Sequence, residues 1–571
     1  MIFYDFEVFK YDWLVVCIDD VTKSETVIVN DRDKLQSFYD AHKADIWIGF
    51  NNKGYDQYIL KGILCDFNPK EINDFIINEG RFGWEFSNQL RRIPLNTYDV
   101  FNRGLDKGLK VFEGFLGNNI HESSIPFDID RKLTDAEIEE TIQYCRHDVE
   151  NTIQVFLERY DDFNAHMGLL RYYANGKPLN LSLLSKTKVQ LSALILNATP
   201  TEYDDEFDID FPNTLRISKY TQVLDWYKDP SNRCYYKDDK KNQLEIMVAG
   251  VPHVFGWGGL HGARLKYSGD GYYLNMDVAS LYPSLMIQYN LGSRSMHDPK
   301  RYEDVYHQRL KYKAEKNPLQ APLKVVLNGT YGAMKDAHNP LYDPRQANRV
   351  CVYGQLLLLD LIEKLEPHCE IIQSNTDGVL VKMRRYEDFN LIDDICYEWE
   401  RRTRLQLEFD EFVRVFQKDV NNYIIVDRTG HYKSKGAYVK KLKALDYDLP
   451  IVNKALIDYM VHNVPVEDTI SSAEYLKDFQ MIAKASSKYK CLLLGDEVLN
   501  VKTARVFATK GNGAGLFKVS MRTGRPEKVS NTPPKCRIVN DDVNDMPVPR
   551  WLDRQFYIDM AHKRLEDFGR R

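Results

Sequence analysis

The chain has 571 residues, of which 43% are hydrophobic and 28% charged, with no low-complexity tract. That is an ordinary globular composition with room for roughly three to five domains, and it excludes disordered and fibrous classes. A formal net charge of −6 excludes a uniformly basic nucleic-acid binder, though a large enzyme can confine its bases to one channel.

Nine cysteines without a C-x-x-C pair suggest neither a zinc module nor a disulfide framework, and the odd count fits a reducing cytoplasm. The start, Met1-Ile-Phe-Tyr-Asp-Phe-Glu7, carries acids where a signal peptide carries bases. Even Leu356-Leu-Leu-Leu359 is closed by Asp360, so no run approaches the roughly eighteen residues of a membrane span. The expectation is a soluble cytoplasmic protein.

In chain order, Ile2–Phe9 reads as a strand with Asp5 and Glu7 two apart, which puts both carboxylates on one face. Taken alone they read as a solvent-facing pair on an edge strand. An apolar strand, Ile46–Phe50, runs into Asn51-Asn52-Lys-Gly-Tyr55-Asp56. Thr134–Phe156 has apolar positions at helical spacing and acids near its start. Tyr144 and Asp148 are i and i+4 there and share a face. Between them, Gly108-Leu109-Lys-Val-Phe112 has no assigned role.

Residues 161–250 read as connecting structure, with acids and aromatics alternating through Tyr203–Phe211 and a turn at Lys240-Lys-Asn242. The glycines of Phe255-Gly-Trp-Gly258-Gly259-Leu-His261 let backbone approach a ligand closely. Gly271–Met276 reads as a buried strand that delivers Asp277 to its end. Ser280 and Pro283 suit a turn into a helix, with proline at the first helical position.

Two helices follow, one over Tyr302–Lys313 and one beginning at Pro322. Arg309 and Lys313 share a face of the first. Lys324, Asn328 and Tyr331 form a stripe on the second, which alone reads as a solvated face. Glu370–Lys382 reads as a β-hairpin closed by Asp377-Gly378. Asp419–Val426 is another strand, and five lysines without an acid fill His431–Lys443, either a solvated surface or a phosphate-tracking strip. A second basic surface runs through Lys484, Lys488, Lys490, Lys502, Arg505, Lys510 and Lys518, and a helix over Trp551–Phe568 closes the chain.

The string Asp277-Val-Ala-Ser-Leu-Tyr282-Pro-Ser resembles the palm motif of family B DNA polymerases. D-x-E at Asp5 and Glu7, N-x-x-Y-D at Asn52–Asp56 and Y-x-x-x-D at Tyr144–Asp148 resemble the three motifs of a DEDDy-type 3′→5′ exonuclease. Lys324–Gly332 is similar to the fingers motif K-x-x-x-N-S-x-Y-G, with Gly329 at the serine. Asn375-Thr-Asp377-Gly378 is similar to Y-x-D-T-D-S, with Asn375 at the first Asp and Gly378 at the serine. Gly258 and Gly259 match the glycines of the Y-x-G-G segment that tracks template, but its tyrosine position falls on Gly256. The match to the K-x-Y and K-G segments that hold the primer terminus is partial.

The resemblance implies an α/β and α+β multidomain fold: an RNase H-like exonuclease with a mixed sheet, then a right-hand polymerase with an antiparallel palm, fingers and thumb. The implied segments are 1–160 exonuclease, 161–250 connector, 251–300 and 341–430 palm, 301–340 fingers, and 431–571 thumb and C-terminal region. It implies that Asp5, Glu7, Asp56 and Asp148 hold two Mg²⁺ ions (Mn²⁺ can substitute) about 3.5–4 Å apart, with Tyr144 orienting water and Asn52 and Tyr55 touching a single-stranded 3′ end. Asp277, Val278 and Asp377 are the implied metal site of synthesis. Tyr282 lies under the sugar of the incoming dNTP, Arg309, Lys313 and Lys324 meet its triphosphate, and Asn328 and Tyr331 line the nascent base pair. Lys311 is the alternative to Lys313. Gly258, Gly259, Tyr423 and Lys435 contact primer–template DNA.

A small bacteriophage enzyme is the type implied, acting as a monomer in the host cytoplasm with phage replication proteins as possible partners. Asp5 stands at the very start, so the extra N-terminal domain of larger relatives is expected to be missing. The short separation from Asp277 to Lys324 points to an ordinary RNA or DNA primer and away from protein priming. The rival readings are a nuclease with a degenerate polymerase half, motivated by Asn375 and Gly329, and a non-catalytic DNA-binding factor.

Overall fold

The computed structural model describes residues 1–436, 438–446 and 449–570. Ala437, in the lysine-rich run, and Tyr447, Asp448 and Arg571, in the expected thumb segment, lie outside the described residues. The architecture is mixed α/β and α+β, divided between two compact units. One comprises Met1–Thr187, Leu442–Pro450 and Ser472–Phe556; the other comprises Lys188–Lys441, Ile451–Ser471 and Tyr557–Arg571. No helix among the described residues is long and apolar enough to cross a membrane.

The first unit is organised by β1 (Ile2–Val8). Its alternation sends Ile2, Tyr4, Phe6 and Val8 into a core with Trp47, Leu35, Ile59 and Ile63, while Phe3 packs edge-on against Phe156 on the opposite face. With β2 (Trp13–Asp19), β3 (Glu25–Val29), β4 (Ile46–Gly49) and β5 (Asn96–Asp99) it forms a sheet of order β3-β2-β1-β4-β5. The pairs β1–β2 and β2–β3 are antiparallel, and β1–β4 and β4–β5 are parallel. β1 is therefore the central strand, and the edge-strand reading of Asp5 and Glu7 is corrected.

Helices α1 (Arg32–His42) and α2 (Asp56–Leu64) follow β3 and β4, and α3 (Leu109–Leu116) follows β5. Helix α4 (Asp135–Glu158) starts at a capping box, where Thr134 Oγ1 accepts from Glu137 N–H and the Glu137 carboxylate accepts from Thr134 N–H. It buries Cys145, Asp148, Val149, Thr152, Val155 and Phe156 and packs on β1 and β2.

Residues 472–556, placed with the thumb by the sequence division, belong to this same unit. They build a three-stranded and a four-stranded sheet. Arg505 is fully buried there. It donates to the carbonyls of Asn118 (2.6 Å), Gly114 (3.4 Å) and Asp541 (2.5 Å) and to Gln480 Oε1 (3.0 Å). Burial pulls its pKa down to about 10.

The second unit is built on nine strands: β6 (Gln243–Val248), β7 (Val251–Gly256), β8 (His261–Ala263), β9 (Tyr267–Val278), β10 (Glu370–Ser374), β11 (Gly378–Met383), β12 (Leu407–Asp419), β13 (Asn422–Val426) and β14 (Tyr432–Lys435). Their order is β14-β13-β12-β9-β11-β10-β8-β7-β6, and every pairing is antiparallel. β9 lies inside the sheet because Tyr273, Leu274 and Met276 are fully buried between β11 and β12. Helix α5 (Lys188–Ile195) packs against α8 (Gln320–Met334), which also packs on α7 (Lys300–Ala314). Helix α9 (Pro344–Leu365) is buried on nearly every side, and its Asp360, fully buried, is paired with Arg402 at 2.8 Å.

Three local expectations shift. The turn placed at Lys240–Asn242 falls earlier, because Lys240–Lys241 pairs with Tyr236–Lys237 and Asp238 and Asp239 take positive φ. Pro283 is the third residue of α6 (Leu281–Gln288), entered through Ser280 at φ 49. The 370–383 hairpin is not closed by a two-residue Asp-Gly turn. Asn375 Oδ1 accepts from the N–H groups of Asp377 (3.2 Å) and Gly378 (3.1 Å), and the local side-chain bond organises the turn.

Candidate active sites

Each unit carries its own carboxylate cluster. In the first unit, β4 pairs with β1 only at Ile2 and Phe3, so the N–H of Phe6 is left for another acceptor. Asp56, the first residue of α2, takes it at 3.1 Å. This bond fixes α2 beside Asp5 and Glu7, and α4 brings Asp148 to the same place.

The electrostatics follow from crowding. Burial and then the neighbouring acids raise Asp5 and Glu7 well above the usual carboxylate range. Burial lifts Asp56 to about 7 and Asp148 to about 6. The nearby cation is Lys110, which bonds Asp148 and, at 3.0 Å, Glu113. Burial opposes its charge, but those two acids raise its pKa overall. Its Nζ also lies 4.4 Å from the centroid of the Tyr144 ring, and burial and the acids push the Tyr144 phenol up.

Such a set fits divalent cations: four acids converge with little compensating charge, and carboxylate oxygens are the donors Mg²⁺ and Mn²⁺ prefer. Among the described residues, donor atoms of Asp5, Glu7 and Cys145 lie within 4.8 Å of one another, while Asp56 and Asp148 stand outside that tight group and act on it through their charge. The Cys145 thiol is pushed up by burial and donates to the Asp5 carbonyl at 3.2 Å.

The two residues expected at the 3′ end are placed differently from each other. Asn52 is fully buried and donates to Thr97 Oγ1 and the Tyr98 carbonyl of β5. Tyr55 donates to Asn73 at 2.8 Å, and its phenol is raised by burial and then by Asp56, Glu7 and Asp5. Two groups were missed in the sequence. Lys110 sits in the unassigned 108–112 stretch and is revealed only by the folding of α3 against α4. Asp99 accepts from the N–H groups of Asn51, Lys53 and Phe101 and so holds the loop before α2; burial raises it to about 6.

In the second unit, Asp277 pairs in register with Gly378, and the Val278 N–H donates to the Asp377 carbonyl at 2.6 Å. The acids on neighbouring strands thus come together at one end of the sheet. They line a cavity of about 270 Å³ with Asn275, Asn375, Tyr423, Lys433 and Lys435. Burial, then Asp377, raises Asp277 to about 6. Asn275, two residues earlier on the same face, donates to Asp277 Oδ2 at 2.7 Å. A Cβ at Gly378 would stand 2.0 Å from Asp277 Oδ1, so glycine is what lets that carboxylate lie against the turn. Lys433, one of the five lysines of the 431–443 run, donates to Asp410 at 2.6 Å.

Arg309 and Lys313 of α7 and Lys324 and Asn328 of α8 line one cavity of about 760 Å³ with Gln320 and Gly329. Among the described residues none of these three cations has an acidic partner, and Arg309 Nε is buried without a hydrogen bond. Lys311 is exposed and outside that lining. Tyr331 does not face it either: its ring lies 4.5 Å from Tyr282, and Lys335 Nζ sits 5.3 Å from its centroid. Lys335 also donates to the Trp257 carbonyl, beside Gly258 and Gly259. A Cβ at Gly259 would meet Thr376 Oγ1 at 2.5 Å, which brings the glycine pair against the turn that carries Asp377.

No family model matches the chain. An alignment 224 positions long, which covers 32% of this chain, is 24% identical to DNA polymerase 1 of Aeropyrum pernix, and the match spans about a quarter of that relative's length (23%). Among solved structures, the family B DNA polymerase of the archaeon Pyrobaculum calidifontis is similar over 100% of this chain and 77% of its own, with 15% identity and a TM-score of 0.42.

Proposed function

We propose that this chain is a template-directed DNA polymerase of family B with a 3′→5′ exonuclease, of the small bacteriophage type, acting as a monomer on an ordinary primer. The observation that carries the reading is the pairing of two separate carboxylate clusters with a cation-lined cavity: Asp277 and Asp377 in one unit, Asp5, Glu7, Asp56 and Asp148 in the other. The name of the curated relative agrees with it. Asp5, Glu7, Asp56 and Asp148 would hold one pair of Mg²⁺ ions, and Asp277, Asp377 and the Val278 backbone another. Such ions neutralise charge at phosphorus and sharpen a hydroxyl nucleophile.

In synthesis, Arg309, Lys313 and Lys324 bind the triphosphate of the dNTP and offset the charge that grows on the leaving pyrophosphate. Tyr282 supports the sugar, Asn328 and Tyr331 border the base pair, and Tyr423 and Lys435 hold the primer terminus so that its 3′-hydroxyl meets the α-phosphate in line. Gly258 and Gly259 admit the template backbone. In trimming, Tyr144 orients the attacking water, Tyr55 borders the terminal nucleotide, and Lys110 keeps Asp148 ionised. Asn52 supports the site from beneath.

A primer–template gel with Mg²⁺ tests the proposal. Primer lengthening with dNTPs and shortening without them is the expected pattern. Full extension by Asp377→Ala would overturn the assignment of synthesis. The Asn375 departure favours one second reading, a nuclease alone, which would shorten primer at every dNTP concentration.

A further inference from the structure

A pair of aromatic rings on the first unit has no part in either cluster. Phe82 and Trp84 are 42% and 50% exposed, yet their rings stack face to face with centroids 4.2 Å apart and planes 9° from parallel. Packing does not require them outside. The anchor of this segment is Phe86, which meets Phe67 and Phe75 edge-on. The turn between the rings is set by its own bonds, Glu85 N–H to the Phe82 carbonyl (2.9 Å) and Phe82 N–H to the Glu85 carboxylate (3.2 Å).

Two facts about the surroundings select an occupant. The Arg103 guanidinium lies 5.5 Å from the Phe82 ring centroid, and Arg81, Arg91 and Arg92 outnumber Glu79 and Glu85 over residues 79–92. The pair is also tied to the carboxylate site. Gly83, between the rings, presses on Tyr58 so closely that a Cβ would meet its ring at 2.2 Å, and Tyr58 follows Asp56 by two residues on α2. Flat, solvent-facing rings flanked by guanidinium suit an unpaired base above a phosphate backbone. Duplex bases have no free face to offer, and two rings are too small a patch for a protein interface core.

We propose that Phe82 and Trp84 form a stacking platform for single-stranded DNA on its way to or from the carboxylate site of the first unit. The inference rests on the exonuclease reading of that site, and its test is chosen to fail separately. Trp84 is the most exposed tryptophan among the described residues, so its fluorescence reports stacking. An oligothymidylate of about 16 nucleotides, added to Asp148→Ala protein so that cleavage is absent, should quench emission. The quench should be missing in W84F, and binding should weaken roughly tenfold in the Phe82→Ala, Trp84→Ala double variant and further with added salt. In the protein with Asp148 intact, the double variant should lose at least tenfold more cleavage of the oligonucleotide than of thymidylate dinucleotide. Equal losses on the two substrates would overturn the platform, and so would quenching that W84F retains. Quenching without any cleavage by the intact protein would uphold the platform and sink the exonuclease reading instead.

Discussion

Replacing Gly378 with serine restores the residue that the resembled motif carries, yet the structure predicts that it damages synthesis. The new Cβ would lie 2.0 Å from Asp277 Oδ1 and 2.9 Å from the Met276 carbonyl. Separations below 3.0 Å are not tolerated, so the carboxylate must retreat by about 1 Å or more. It cannot swing freely, because Asn275 holds its other oxygen at 2.7 Å. A displacement of that size in a reacting constellation costs about a hundredfold in rate, close to 2.7 kcal/mol of barrier. Single-turnover primer extension at saturating dNTP measures it, with a thermal melt to confirm folding and primer shortening without dNTPs as an internal control. Shortening should be unchanged. Adding Asn275→Val to Gly378→Ser should recover part of the rate by freeing the carboxylate to turn. Extension by G378S within threefold of the unmodified protein would refute the reasoning.

Other expectations follow from the same geometry. Lys324→Ala should raise the KM for dNTP about ten- to a hundredfold with little change in trimming, read from steady-state extension. In the first unit, Asp56 titrates near 7 when folded against about 3.9 unfolded. The folded state therefore holds its proton more tightly, and metal-free stability falls as pH rises from about 4 to 7. Asp56→Asn should accordingly stabilise the protein in EDTA at pH 8 by on the order of 2–4 kcal/mol, while lessening the stabilisation that added Mg²⁺ gives; melts with and without Mg²⁺ would show both. Arg505→Met should destabilise the first unit by about 3–5 kcal/mol, since several buried carbonyls lose their donor at once, measured by denaturant unfolding followed at Trp47.

Much of this was legible because strand and helix periods are short-range. The two-residue spacing of Asp5 and Glu7, the four-residue spacing of Tyr144 and Asp148, and the capping box at Thr134 each specify their own geometry. Arg309, Lys313, Lys324 and Asn328 were readable as two helix stripes, although only the α7–α8 packing makes them one cavity. What stayed hidden depends on contacts between distant segments. Lys110 and Asp99 look like ordinary loop-adjacent charges until α3 and β5 are placed. Asn375 reads as a lost acid, whereas its amide oxygen accepts two turn N–H groups. Tyr331 fell on the same stripe as Lys324 but turns toward Tyr282, because the α8 face that carries it packs inward.

The Arg505 side chain satisfies carbonyls at Gly114 and Asn118, 391 and 387 positions earlier in the chain. During synthesis, at about 5–20 residues per second, those carbonyls wait roughly 20–80 s for their donor to emerge from the ribosome. The unit that contains Asp5 thus cannot close before residues 472–556 have been made. A premature stop near residue 500 would spare the nine-stranded sheet's sequence while leaving the N-terminal unit without its keystone, so late nonsense mutations should expose that unit to proteolysis first.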